Sequence, residues 1–294
     1  MLRSAARRWI YPSASATCAI AHRLAWRRYV RRNPPRPWHS ADAPVVIIAP
    51  HPDDETVGAG GAALLHRAAG DSVTILLVTD GGASRAVPDI VRVRRREAMA
   101  AADRLGARLV SLELPEGDWS VEAGAEAIAP RIAGASHFYA PSIVDFHPEH
   151  RRVANALARV VPPEATVRVV ELGVPLSPLL VNVVADIASV AEEKRLILSH
   201  YVSQRRALDP LERLARYRAG LYGLRHAEVF WEMSGAAYRS LAMAGAPTFR
   251  GVRSRPFLDP VTLGSGLRAR ARLQKRTRRA PRPGPSRSPD ARHP

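Results

Sequence analysis

The chain has a single cysteine, Cys18, in 294 residues. One thiol permits no internal disulfide, which suits a reducing compartment, and a cytoplasmic location is expected. Lysine is nearly as scarce, since only Lys194 and Lys275 occur among 44 basic residues. Such a preference for arginine fits a GC-rich, bacterial genome more than it fits any chemistry. No apolar run reaches the roughly 18 residues of a membrane span, so no transmembrane helix is expected. Near the N-terminus, Ser, Thr and Pro interrupt anything that could serve as the apolar core of a signal peptide. No internal repeat is visible. Gly58-Ala59-Gly60-Gly61 is glycine-rich, but it follows two acids and lacks the third glycine of a dinucleotide fingerprint. Small residues that let a helix pack closely on a sheet are the better explanation.

What is present in excess is positive charge, and it is unevenly placed. The formal net charge is +17. Residues 1–41 hold nine arginines and no acid, and residues 250–294 hold thirteen Lys/Arg against two Asp, which leaves −3 for residues 42–249. The body is therefore nearly neutral and the ends are basic. Residues 264–294, rich in Arg, Pro and Ser, cannot bury enough surface to offset ordering entropy and are expected to be disordered. Such a tail attracts polyanions without selecting among them, so no specific nucleic-acid partner is implied. In the N-terminal arm, Ile20, Leu24, Trp26, Tyr29 and Val30 alternate with arginines before Pro34-Pro35. A basic helix with aromatic residues can lie on an anionic membrane, so peripheral contact through this arm is an expectation.

Between the basic ends, apolar runs alternate with helical patterns. Strands are expected at 45–49, 72–79, 108–114, 137–141 and 166–173, with helices at 57–69, 90–105, 121–133 and 150–161. Residues 181–185 could add a strand, and 186–200 and 210–224 two more helices. This alternation argues for one α/β domain with a mostly parallel sheet flanked by helices.

Two clusters carry the chemistry. His51-Pro52-Asp53-Asp54-Glu55 follows the β-branched run Val45 to Ile48. Asp145-Phe146-His147-Pro148-Glu149-His150 follows the apolar stretch His137 to Ala140. In a parallel sheet such junctions share one edge, where ligands bind. Neutral imidazole and carboxylate are suitable ligands for a divalent cation, and three protein ligands with one open position make a catalytic zinc site. A neighbouring acid that is not a ligand could take a proton from water.

These motifs resemble the PIG-L/LmbE-like family of zinc-dependent de-N-acetylases, which act on N-acetylglucosamine-type amino sugars. The first cluster is similar to that family's H-P-D-D-E, and the second to its H-P-D-H with Glu149 in place of the aspartate. Thr79-Asp80-Gly81, the R-x-x-E of Arg94 to Glu97, Lys194 with Tyr201-Val202-Ser203-Gln204, and Glu228-Val229-Phe230 follow in the family's order. The resemblance covers roughly residues 43–235. It implies a single Rossmann-like domain there, with a basic arm at 1–42, a C-terminal extension at 236–263 and a basic disordered tail at 264–294.

The same resemblance implies roles. His51, Asp54 and His150 would be the ligands of one Zn2+, with another divalent metal able to replace it. Asp53 would be the general base toward the zinc-bound water. His147 would stabilise the oxyanion, as a cation, or protonate the leaving amine, and Arg94 would contact the substrate. The implied activity is hydrolysis of the acetamide of an N-acetylglucosamine-type sugar or conjugate. A zinc amidase acting on a non-sugar amide, and a non-catalytic binding protein on the same fold, are the alternatives. Where some relatives carry a tyrosine two residues before His147, this chain has Asp145, which is expected to orient His147 or to cap the turn. Asp80 is expected to shape its loop, Glu149 to face away from the metal, and His66, His137, His200 and His226 to be structural.

Overall fold

The computed structural model describes residues 23–83, 88–145, 147–172, 176–204 and 215–244. The expectations for residues 1–22 and for the tail beyond 244, Cys18 included, lie outside these residues.

Eight strands form one sheet: β1 (Arg36–Pro37), β2 (Val45–Ala49), β3 (Val73–Thr79), β4 (Arg108–Leu114), β5 (His137–Ala140), β6 (Thr166–Val169), β7 (Val183–Asp186) and β8 (Ala227–Ser234). Their order across the sheet is β1-β7-β8-β6-β5-β2-β3-β4. All neighbours are parallel except β8, which runs antiparallel to both β6 and β7. The helices are α1 (Asp54–Ala69), α2 (Ile90–Leu105), α3 (Val121–Ile128), α4 (Pro148–Val160), α5 (Ala191–Leu198) and α6 (Gly235–Met243). Residues 23–32 and 215–221 are also helical. The chain is a mixed α/β, Rossmann-like domain.

Strand β2 reads Val-Val-Ile-Ile-Ala without alternation because both of its faces are covered. Val46 and Ile48, with Phe138 and Val167, pack under α3, α4 and α6. Val45, Ile47 and Ala49, with Tyr139, pack under α1, α2 and α5. The inner face of the 23–32 helix also rests on protein: Val30 is buried, and Arg27 Nε donates to Gly220 O at 3.1 Å. Leu24 is exposed. Among the described residues, no helix is long and apolar enough to cross a membrane.

Several boundaries differ from the expectation, each for a local reason. Helix α1 begins at Asp54 rather than 57, with Asp54 and Glu55 in its first turn where the helix dipole favours acids. Helix α4 begins two residues early, at Pro148, because proline suits the first helical position. The helix expected at 121–133 ends at Ile128 and tightens into a 3₁₀ turn containing Pro130. Strand β6 stops at Val169, and the helix expected at 186–200 is confined to Ala191–Leu198. Residues 210–214 lie outside the described residues. Strand β8 adds to the expected strands, its apolar pattern being interrupted by Glu228 and Glu232. Both acids are buried and satisfied: Glu232 pairs with Arg168 at 2.9 Å and with Arg36 at 2.8 Å.

Candidate active site

The connection order places a crevice at the centre of the sheet. From β2 the chain moves outward to β3 and β4, then returns to the other side of β2 as β5. Loops leaving β2 and β5 therefore diverge at their carboxyl ends, where open α/β sheets bind ligands. His51 lies in the first of these loops, and His147 and His150 lie in the second.

The three imidazoles converge there. Ring centroids are 4.8 Å apart for His51 and His147, 5.3 Å for His51 and His150, and 4.7 Å for His147 and His150. One ring nitrogen from each lies within 4.8 Å of the others. His51 and His150 are buried, while His147 is exposed at the mouth. Asp54 sits between the buried pair. Its Oδ2 is 3.1 Å from His51 Nδ1 and 3.3 Å from His150 Nε2, and it accepts the His51 backbone N–H at 2.9 Å. The far nitrogens each face an acid as well: His51 Nε2 lies 3.2 Å from Glu116 Oε1, and His150 Nδ1 lies 3.1 Å from Asp145 Oδ2.

Asp53 adopts φ 123°, ψ −30°, a left-handed conformation that a residue with a Cβ rarely takes. Such strain costs on the order of 1–3 kcal/mol and persists only where surroundings enforce it. Here the Asp53 N–H donates to Glu55 Oε2 at 3.2 Å, and Val57 N–H donates to Asp53 O at 2.9 Å. Glu55 is itself fixed by the hydroxyls of Thr56 and Tyr201, which both donate to its Oε1.

The electrostatics follow from crowding acids and imidazoles out of water. Burial disfavours charge on His51, yet its bonds to Asp54 and Glu116 outweigh that and raise its pKa to about 9. For His150, burial is likewise outweighed by Asp54 and Asp145, and the pKa rises to about 10. The two imidazoles hold Asp54 well below the carboxylate range despite its burial. A bond from His51 brings Glu116 down to about 2. Asp53 moves the other way: burial and the charges of Asp54 and Glu55 push it well up. His147 is lowered by burial and by the neighbouring imidazoles. The cationic His147 expected from the sequence is therefore not what this environment favours.

His51, Asp53, Asp54, His147 and His150 thus meet in one crevice. Arg94 lies buried beneath it, donating from Nη1 to Gly81 O at 2.7 Å, with its charge opposing those of Asp53 and Glu116. Asp80 shapes its loop as expected, accepting Gly82 N–H at 2.9 Å and Glu116 N–H at 3.1 Å. Glu149 is occupied by Trp119 and Arg152. Asp145 takes the second of its two expected roles, capping the turn rather than orienting the His147 ring. One of its oxygens accepts the His147 backbone N–H at 2.9 Å and so caps the turn, while the other serves the His150 ring. Glu116 belongs to neither histidine motif, although Pro115-Glu116-Gly117 obeys the same rule of an acid in the turn after a strand, here β4.

The donor set fits a divalent cation. Without one, protons on His51 and His150 offset part of the charge of the carboxylates around them. A cation among these groups would displace those protons and take over the balancing role. Asp145 behind His150 supplies the carboxylate that holds a ligating imidazole in orientation.

Fold and site together define a class: a Rossmann-like α/β protein with a histidine–carboxylate centre at the carboxyl edge of its sheet. Residues 46–161, the segment carrying both histidine motifs, match the family model described as PIG-L: GlcNAc-PI de-N-acetylase. Solved structures share the fold. N,N'-diacetylchitobiose deacetylase from Pyrococcus horikoshii is 20% identical with a TM-score of 0.58, over 67% of this chain and 85% of that one. A deacetylase from the biosynthesis pathway of teicoplanin is 19% identical with a TM-score of 0.54, over 64% of this chain and 96% of that one. A 4-carboxy-2-hydroxymuconate hydratase from Pseudomonas putida KT2440 is 18% identical with a TM-score of 0.53, over 65% of this chain and 95% of that one. Identities this low establish the shared fold, which carries both amide hydrolysis and hydration. No curated protein sequence matches the chain.

Proposed function

We propose that the chain is a metal-dependent hydrolase that removes the acetyl group from an N-acetylglucosamine-type sugar or its conjugate. The observation that carries this reading is the seating of Asp53, in its strained backbone conformation, next to Asp54, which itself lies between His51 and His150. The match to a de-N-acetylase family and the fold likeness to an N,N'-diacetylchitobiose deacetylase and a deacetylase of the teicoplanin pathway support it.

In this reading His51, Asp54 and His150 hold the cation, Zn2+ or another divalent ion. When bound, the ion supplies Lewis-acid polarisation of the acyl oxygen and acidifies water at the site. Asp53, whose carboxyl is pushed up by burial and by two neighbouring acids, is the group that takes a proton from the attacking water. Water oxygen adds to the acetyl carbon, the C–N bond breaks, and the proton on Asp53 passes to the departing amine. His147, neutral and exposed at the mouth, donates a hydrogen bond to the acyl oxygen as negative charge gathers there. Arg94 holds the Gly81 loop and contacts the substrate from beneath it.

The test is purification with metal analysis, then release of free amine across a panel of acetamido sugars and their conjugates. Amine release that is lost with the metal and restored with it is expected. Full metal loading without amine release from any acetamide would sink the proposal. Consumption of an unsaturated acid by the same preparation would favour the hydratase chemistry instead.

A further inference from the structure

Helix α1 is broken at Ala59, whose φ −145°, ψ 16° is not helical. In an unbroken helix the N–H groups of Gly61 and Ala62 would bond to the carbonyls four residues back, those of Val57 and Gly58. Here both amides donate to Glu228 on β8, Gly61 at 2.6 Å and Ala62 at 2.8 Å. The freed Val57 carbonyl accepts from Lys194 Nζ on α5 at 2.9 Å, and the same ammonium lies 2.6 Å from Glu228 Oε1. An ion pair thus occupies the gap in the helix and replaces the hydrogen bonds that the break removes. Both side chains are largely buried, at 13% and 5% exposure. Burying two charges is costly unless each is fully bonded, and here the helix backbone itself supplies the further partners.

The segment ahead of the break is short and carries Asp54, and Asp53 leads directly into it. The angle at Ala59 therefore sets where these carboxylates stand relative to His51 and His150. We propose that Lys194 and Glu228 are positioning residues. By locking α1 in its broken form, they hold Asp54 against the two imidazoles and Asp53 alongside. The choice of residue agrees: Lys194 is one of two lysines among 44 basic residues. A compact ammonium fits between a carbonyl and a carboxylate where a planar guanidinium would force them apart.

The inference rests on the metal reading, so its test has two readouts. Apo protein, prepared by chelation, is titrated with zinc against a chromophoric chelator, and amide hydrogen exchange is followed over residues 54–62. The variants are Lys194→Met, Lys194→Arg, Glu228→Gln and the double variant Lys194→Met/Glu228→Gln. Lys194→Met should weaken zinc binding by about tenfold or more, the range for residues that orient a ligand from behind, and should speed exchange in 54–62 selectively. Lys194→Arg should not restore either property. The double variant should recover most of both, because an amide at 228 can accept from Gly61 or Ala62 and donate to Val57 O. Parental zinc affinity and exchange in a folded Lys194→Met protein would overturn the proposal. Should that variant fail to fold, Glu228→Gln decides, with unchanged affinity and exchange overturning it. A parent chain that binds no zinc removes the metal reading alone, and the exchange data then decide the clamp.

Discussion

Asp145 Oδ2 lies 3.1 Å from His150 Nδ1, on the side of the ring away from Asp54. Nε2 of His150 thus faces the centre, with the Asp145 charge behind the ring. Asp145→Asn keeps the turn cap, since an amide oxygen can still accept the His147 N–H, but it removes the negative charge behind the imidazole. Zinc affinity should fall by roughly 10- to 100-fold while the fold is retained. Competition against a chromophoric chelator measures this, and unchanged affinity would remove Asp145 from the support of the site.

Asp53→Asn separates holding the metal from using it. The side chain is not among the proposed ligands, so bound metal should stay near the parental level. Amine release should fall by roughly a hundredfold to ten-thousandfold, the range for removal of a general base. Metal content by elemental analysis and turnover must be measured on the same preparation. Parental turnover at matched metal content would show that another group takes the proton.

The parallel core and both histidine loops were legible because each depends on local pattern. Val45 to Ile48 announces a buried strand, and His-Pro-Asp-Asp right after it places polar groups at its end. Glu116 and strand β8 were not legible, for a shared reason. Their acids are given meaning by partners far along the chain: His51 for Glu116, Arg168 and Arg36 for Glu232, and the broken backbone of α1 for Glu228. Periodicity counts such acids as polar and assigns them to the surface. The break at Ala59 was hidden likewise, although the tight packing of its neighbours was foreseen. A Cβ on Gly58 would lie 2.9 Å from Val170, and one on Gly61 would lie 2.7 Å from Ile187.

His66, read from the sequence as structural, supplies a prediction about pH. Trp38 Nε1 and Arg168 Nη1 both donate to the Tyr139 hydroxyl at 2.8 Å, so that hydroxyl donates onward to His66 Nε2 at 2.9 Å. The ring then keeps its proton on Nδ1, facing Asp71 Oδ2 at 2.6 Å. Burial, aided by Arg168 and only partly opposed by Asp71, lowers the pKa of His66 from 6.5 to about 4. The unfolded chain binds this proton below 6.5 and the folded chain only below about 4, so His66 lowers stability as pH falls through that window. The loss amounts to about 3 kcal/mol when complete. Glu171, raised to about 7 by burial, acts with the opposite sign there, so the test is a difference. Denaturant unfolding of chelated parent and His66→Gln at pH 7.5 and pH 4.5 should show the parent losing more stability than the variant. Equal losses would mean that His66 charges freely in the folded state.

Gly235 tests whether the last strand and helix belong to the same cooperative core as the catalytic loops. It follows Ser234, whose hydroxyl caps α6, and its N–H donates to Ala165 O at 2.8 Å just ahead of β6. A Cβ at this position would lie 1.9 Å from the Pro162 carbonyl oxygen, a backbone atom that cannot swing aside. Gly235→Ala must therefore push α6 away from the loop between α4 and β6, and α4 is the helix that carries His150. Overpacking of this kind costs typically about 1–3 kcal/mol. The variant should unfold at lower denaturant with an unchanged slope, and zinc affinity should fall with it as α4 shifts. A second, separate unfolding transition would show instead that β8 and α6 come away on their own, leaving the histidine loops in place.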